Sequence, residues 1–319
     1  MNNENLEPEQ KKDEYKIIPT MSPNKAAVLG LIAVFFIFQF GGGILALTVF
    51  GFDLNEADMN LMRLLTIGSQ ILFILFPAIL FSKLVFEDVT SILRFRIPAP
   101  REVGIFVLGL ILLIPLLQSY LHIQNYILVE LAESVPFFEG IKNFFDMLDK
   151  LVEESYLQLL TANNALEYFL VIIAVSVTPA VCEEFFFRGF VQKSFEFKQK
   201  PLTAIVLTSV FFGLYHFNPY GLLPLIFIGM YLGYAVYMSN SIAVPVILHF
   251  INNFVAIIAF FIFGEAELMQ SNFVDIENID YYFVTFIVLL ALFVGFIIFI
   301  NGNYKKLTNE EVQNDLSQM

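Results

Sequence analysis

The sequence predicts an all-α, polytopic membrane protein of about eight transmembrane helices, with one further amphipathic helix at the membrane surface. Three observations carry this reading. Hydrophobic residues fill 58% of the 319 positions and charged residues only 15%, where a soluble domain carries nearer a quarter. Several apolar runs reach the roughly 20 residues that cross about 30 Å of hydrocarbon. The basic residues, finally, sort to one side of the topology that those runs define.

The first 25 residues are polar and mixed in charge. No short apolar core with a small-residue cleavage site follows, so a cleavable signal peptide is not expected. Apolar segments then run over about 26–50, 61–86, 103–123, 166–190, 202–217, 221–239, 241–263 and 281–301. The fifth is short enough to be tilted or displaced. The expected organisation is a polar cytoplasmic tail (1–25), a single integral membrane domain (26–301) and a second polar cytoplasmic tail (302–319). No internal repeat is evident.

Lys11, Lys12, Lys16 and Lys25 precede the first segment, and Lys83, Arg94, Arg96 and Arg101 surround the loop after the second. Arg188, Lys193, Lys198 and Lys200 end or follow the fourth, and Lys305 and Lys306 follow the last. All lie on one side of an eight-span topology, with only Arg63, Lys142 and Lys150 elsewhere. The opposite loops cluster acids, among them Asp53, Glu56, Asp58, Glu265, Glu267, Asp275 and Glu277. The positive-inside rule then places both termini in the cytoplasm, as in a bacterial plasma-membrane protein. A net charge of −13 argues against a nucleic-acid partner, which would want a basic face.

In the long outer loop, Phe138, Ile141, Phe145, Leu148 and Val152 recur at helical spacing between charges. This reads as an amphipathic helix on the membrane surface, a connector rather than a lid. GMYLG (Gly229 to Gly233) is a small-xxx-small pattern that predicts close packing within the bundle, and Gly41, Gly42 and Gly43 read as a packing or kink site. Cys182 is the only cysteine, which leaves no intramolecular disulfide and no multi-cysteine metal site. It reads as a small buried side chain, placed beside Glu183 where a thiol reagent would report on its surroundings.

The chemistry concentrates in FLVIIAVSVTPAVCEEFFFRGF. An ionised side chain near the middle of a membrane helix costs roughly 2.5–3.5 kcal/mol on insertion scales, yet Glu183, Glu184 and Arg188 stand together here. Glu184 and Arg188 are four apart and share a helix face, so an ion pair is expected between them. Glu183 is five from Arg188, about 140° around the axis, and is left to face a polar cavity. An unpaired carboxylate in low dielectric is a ready proton acceptor, which suits a general base.

Two histidines lie on the following segments. His216 ends TAIVLTSVFFGLYH with Phe212 one turn earlier, and His249 lies in VPVILHFINNFVAII with Asn252 and Asn253 one turn on. Polar groups in membrane spans face the protein interior and each other, so one site is expected. Their depths disagree: counting from the cytoplasmic side, Glu183 lies roughly 15 Å in, His249 about 12 Å and His216 nearer 22 Å. His122, near the outer end of the third segment, reads as an ordinary polar residue.

EEFFFR (Glu183, Glu184, Arg188), FGLYH (Phe212, His216) and HFINN (His249, Asn253) resemble the EExxxR, FxxxH and HxxxN motifs of the CAAX protease and bacteriocin-processing family, also called Abi. The motif-bearing stretch covers about residues 166–263. The resemblance implies an intramembrane endopeptidase related to enzymes that remove the last three residues of prenylated CAAX proteins. It implies that Glu183 and His216 deprotonate a water, that His249 and Asn253 donate to the oxyanion, and that Glu184 and Arg188 fix the geometry. Glu183, His216 and His249 would also suffice to ligate a catalytic zinc, although HExxH is absent; metal-independent chemistry is slightly preferred.

Three readings stay open: a protease acting on membrane-associated or lipidated peptides, a non-catalytic immunity or adaptor protein on the same fold, and a proton-coupled transporter. The absence of GxSG-type serine and GxGD-type aspartate motifs, with the three motifs intact, favours the first.

Overall fold

A computed structural model describes residues 17–51, 58–263, 272 and 275–308. Most of both polar tails, and the acidic positions Asp53, Glu56, Glu265 and Glu267, lie outside the described residues. The described chain is all helical. The main helices are α1 (Pro23–Phe50), α2 (Met59–Phe86), α3 (Pro100–Ser134), α4 (Pro136–Leu160) and α5 (Ala165–Glu196). They are followed by α6 (Pro201–Tyr215), α7 (Leu222–Ser239), α8 (Ala243–Phe263) and α9 (Ile279–Thr308).

Seven of these are long and apolar enough to span a bilayer. The eighth apolar helix, α6, has 15 residues and rises about 22 Å, short of the hydrocarbon thickness. The protein is therefore an integral membrane protein. Its large apolar side chains lie outside as well as inside; Ile287 and Ile298 of α9, for example, are exposed on a surface suited to lipid.

Local chemistry sets the helix starts. Asp58 accepts the Leu61 N–H at 2.9 Å to cap α2, and Asn164 accepts that of Glu167 at 3.1 Å to cap α5. Pro23, Pro100, Pro136 and Pro201 stand in first turns, where the missing N–H costs nothing. Asn240 ends α7 in the left-handed region (φ 46°). Two prolines inside spans have a different effect. Pro77 and Pro179 each follow a π-helical stretch, Ile71–Leu75 and Ile173–Val177, where the backbone widens around the ring and its missing hydrogen bond. A third π stretch, Phe185–Val191, lies within α5 just after the glutamates.

α3 extends well past the expected 123 because its polar outer end has partners: Gln124 donates to Tyr220 O at 2.9 Å, and His122 stacks on Tyr282 at 4.0 Å. α5 runs to Glu196 rather than 190 because Arg188, Gln192 and Glu196, one turn apart, all find partners on neighbouring elements.

The amphipathic helix is α4. Its five predicted apolar positions are half-buried against the bundle, while Phe137, Phe144 and Leu151 are exposed. Arg63, buried in α2, donates to Leu159 O at 3.0 Å and to Thr161 O, capturing carbonyls left open at the end of α4. Tyr220, in the turn between α6 and α7, donates to Asp146 at 2.6 Å, and Lys142 reaches the same carboxylate at 2.7 Å. Gly41 of α1 packs on the Phe73 ring of α2, whereas Gly43 faces open space.

Burial works against the Asp146 charge, but hydrogen bonds from Lys142 and Tyr220 hold its carboxyl below the usual range. A depressed folded value means that this docking contributes above the unfolded carboxylate pKa. It is lost as pH falls through the folded value. Tyr220→Phe is expected to cost about 1–2 kcal/mol locally, read as faster amide exchange across 136–160 with the spans unaffected.

Candidate active site

α5 is the central element, and its neighbours α6, α7 and α8 bring the remaining polar groups to it. Glu184 and Arg188 are both fully buried and pair at 2.9 Å, as their spacing predicts. The same Glu184 oxygen accepts from His249 Nδ1 at 2.8 Å. Arg188 also donates to Gly229 O at 3.2 Å, and its guanidinium carbon stands 4.2 Å from the centre of the Phe212 ring. Each buried charge thus has several compensating contacts, without which such a pair would not offset its desolvation.

Glu183 points elsewhere. One oxygen, Oε2, lies 3.8 Å from His216 Nε2 and has no hydrogen-bond partner among the described residues. His216 caps the end of α6, and its Nδ1 sits 2.7 Å from Phe212 O. A carbonyl only accepts, so Nδ1 carries the proton, and in the neutral ring Nε2 presents a lone pair towards Glu183. Two acceptors 3.8 Å apart cannot bond directly, but a water can donate one hydrogen to each at ordinary distances of about 2.8 Å.

The apparent depth mismatch between Glu183 and His216 disappears, whereas His249, six residues from the α8 start at Ala243, counts as shallower and still reaches Glu184 at 2.8 Å. Glu183 lies 13 residues from the α5 end at Glu196, and His216 lies 15 residues from the α6 start at Pro201. At ~1.5 Å per residue these are about 20 and 22 Å.

Asn253 is the candidate whose neighbours differ most from expectation. Its Nδ2 donates to Val175 O at 3.3 Å, and Asn252 donates to its Oδ1 at 3.2 Å. Pro179 has no N–H to offer that carbonyl four residues back, so Asn253 fills a gap that a proline created, as neighbouring helices do in membranes. Among the described residues the other amide hydrogen of Asn253 has no partner. His249 is likewise partly committed: with Nδ1–H on Glu184, its Nε2 donates only when the ring is an imidazolium.

Glu183, His216 and His249 do not converge as a zinc ligand set. Among the described residues no three His, Cys, Asp or Glu side chains gather as a metal site; His249 turns its Nδ1 to Glu184 instead. Cys182 is buried within the apolar core with Phe186 and Phe190, out of reach of a thiol reagent.

Phe212 and Gly229 join the cluster through their contacts. The Phe212 ring touches Arg188, His216 (4.7 Å) and His249 (5.9 Å), linking the two halves of the site. Its place one turn before His216 was the available signal. Gly229 leaves room for Arg188: a Cβ there would stand 3.1 Å from Ser209 Cβ, 3.2 Å from Phe212 and 3.3 Å from Arg188 Nη2. Gly233 repeats the arrangement, with Gln192 donating to its carbonyl at 3.0 Å. The GMYLG pattern therefore packs α7 on α5 and α6.

The two glutamates should separate experimentally. Glu184→Gln leaves Arg188 buried without its counter-charge, an expected loss of about 3–5 kcal/mol seen as a large drop in thermal midpoint. Glu183→Gln should leave the midpoint nearly unchanged. Gly229→Ala should lower it measurably, because Arg188 and Phe212 must both give way.

No curated protein and no solved structure matches the chain significantly. Residues 165–255, the stretch that builds this site, match the family described as type II CAAX prenyl endopeptidase, Rce1-like, the CAAX protease family that the three motifs resemble.

Proposed function

We propose that this protein is an intramembrane endopeptidase that hydrolyses peptide bonds of membrane-associated or lipidated peptides with a water activated by Glu183 and His216. The match over 165–255 supports CAAX-type proteolysis at the level of the family. The observation that carries the finer reading is the 3.8 Å approach to His216 Nε2 of Glu183 Oε2, which has no hydrogen-bond partner among the described residues, a separation that one shared water would bridge.

In this reading the water oxygen attacks the scissile carbonyl carbon while Glu183 takes its proton. The oxygen of the resulting tetrahedral intermediate is negative, and His249 as imidazolium and the remaining amide hydrogen of Asn253 donate to it. Glu183 then returns the proton to the departing amine nitrogen as the carbon–nitrogen bond breaks. Glu184, Arg188, Phe212 and Gly229 touch none of the reacting atoms; they hold His249 and the α5–α6 spacing. The site is proposed to serve peptide precursors or membrane-protein termini in a bacterial plasma membrane, with both protein termini cytoplasmic.

The test compares peptide and protein termini from native-host cells carrying wild type or Glu183→Ala at equal membrane abundance. A discrete set of termini should vanish in the variant and name the substrates; identical profiles across growth conditions would remove the proteolytic reading. On a substrate so identified, His216→Gln should slow hydrolysis by about 10²-fold or more, without loss of folded protein.

A further inference from the structure

About 20 Å along α5 from Glu183, at the basic end of the bundle, an open cleft of about 600 Å³ is lined by Ser91, Arg94, Phe95, Arg96, Lys193 and Phe197 among others. It takes no part in the chemistry above. Arg94 is buried, with Nη2 on Glu196, Nη1 on Val236 O at 3.2 Å and its Nε without a partner among the described residues. Arg96 donates to Ser239 O at 2.9 Å and to Glu102 at 2.6 Å. Glu102 also accepts from Tyr304 at 2.7 Å and from Ala99 N at 2.8 Å, so its charge is directed away from the cleft.

Lys193 forms no ion pair among the described residues. Arg94, Arg96 and Lys193 stand against Glu196, Glu102 and Asp88, whose Oδ1 accepts from Thr90 and Ser91 of the cleft wall; Arg94 and Arg96 have ion-pair partners, and Lys193 is the cation left without one among the described residues. An anion is the missing partner, and like charges this close are relieved by one. The wall opposite is apolar: Phe95 is 56% exposed, and the nearby Ile97 is 93% exposed. The cleft sits where α2 and α5 end and α3 and α6 begin, and the ends of spanning helices lie near the membrane–water boundary. Cations at that depth beside exposed aromatic surface match a phospholipid: phosphate on the Lys193–Arg94 side, acyl chains along Phe95.

We propose that this cleft is a binding site for the phosphate-bearing headgroup of an anionic phospholipid. The site is independent of the proteolytic reading.

The test uses the full-length protein in nanodiscs of phosphatidylcholine doped with phosphatidylglycerol, with retained lipid measured by native mass spectrometry. Wild type should hold phosphatidylglycerol in preference to phosphatidylcholine. Lys193→Gln should weaken that retention by about fivefold or more, the contribution of one lysine near an anionic surface, and Lys193→Arg should preserve it. Phe95→Glu, at an exposed position, gives a second route to the same loss should Lys193→Gln fold poorly. Equal retention of both lipids, or no change in either charge-altering variant, would overturn the proposal. Displacement of the lipid by excess inorganic phosphate would overturn the lipid assignment in favour of a free-phosphate site.

Discussion

The buried pair of Glu184 and Arg188 is the constraint around which the motif-bearing helices are arranged. Moving two ions out of water costs several kcal/mol each, and in hydrocarbon no solvent offers relief. Relief comes from three other helices: the Gly229 carbonyl of α7, the Phe212 ring of α6 and the His249 imidazole of α8. Each contact requires its helix at one distance and one rotation. The absence of a side chain at Gly229 is part of the same requirement, because Ser209, Phe212 and Arg188 together crowd the space a Cβ would need. A residue pair that could serve no catalytic purpose by itself thus fixes the helices that carry Glu183, His216 and His249.

A second constraint comes from proline. Pro179 opens α5 into a π stretch two turns before the end of the EExxxR segment and leaves Val175 O for Asn253 to satisfy. The cost of interrupting the helix is offset by tying α8 to α5 with a hydrogen bond. That bond orients an amide with one hydrogen still free. Backbone irregularity and polar side chains are therefore coupled: the third π stretch, Phe185–Val191, spans Arg188 and lies directly after the glutamates, where a regular helix would set a different angle between Glu183 and Arg188.

What the sequence made legible was what depends on short-range periodicity. The apolar runs and the four-residue spacing of Glu184 and Arg188 each follow from local geometry. So do the five half-buried positions of α4. The parts that were not legible depend on partners distant in the chain. The extension of α5 to Glu196 requires Arg94 and Gly233, and that of α3 requires the Tyr220 turn. The commitment of Asn253 to Val175, and of His249 to Glu184, could not be read from an HxxxN spacing. Phe212 was visible as a neighbour of His216, but its contact with Arg188 crosses between helices. The small-xxx-small pattern indicated close packing without indicating what packs there.

The proposed mechanism divides labour between adjacent glutamates: Glu184 holds the bundle and Glu183 acts on a water. An experimental structure of the wild type at a resolution that defines solvent tests it most directly. The account predicts a solvent oxygen within about 3 Å of both Glu183 and His216 Nε2, with Glu184 on Arg188 and His249. Glu183 paired to Arg188, with Glu184 facing the cavity, would contradict it.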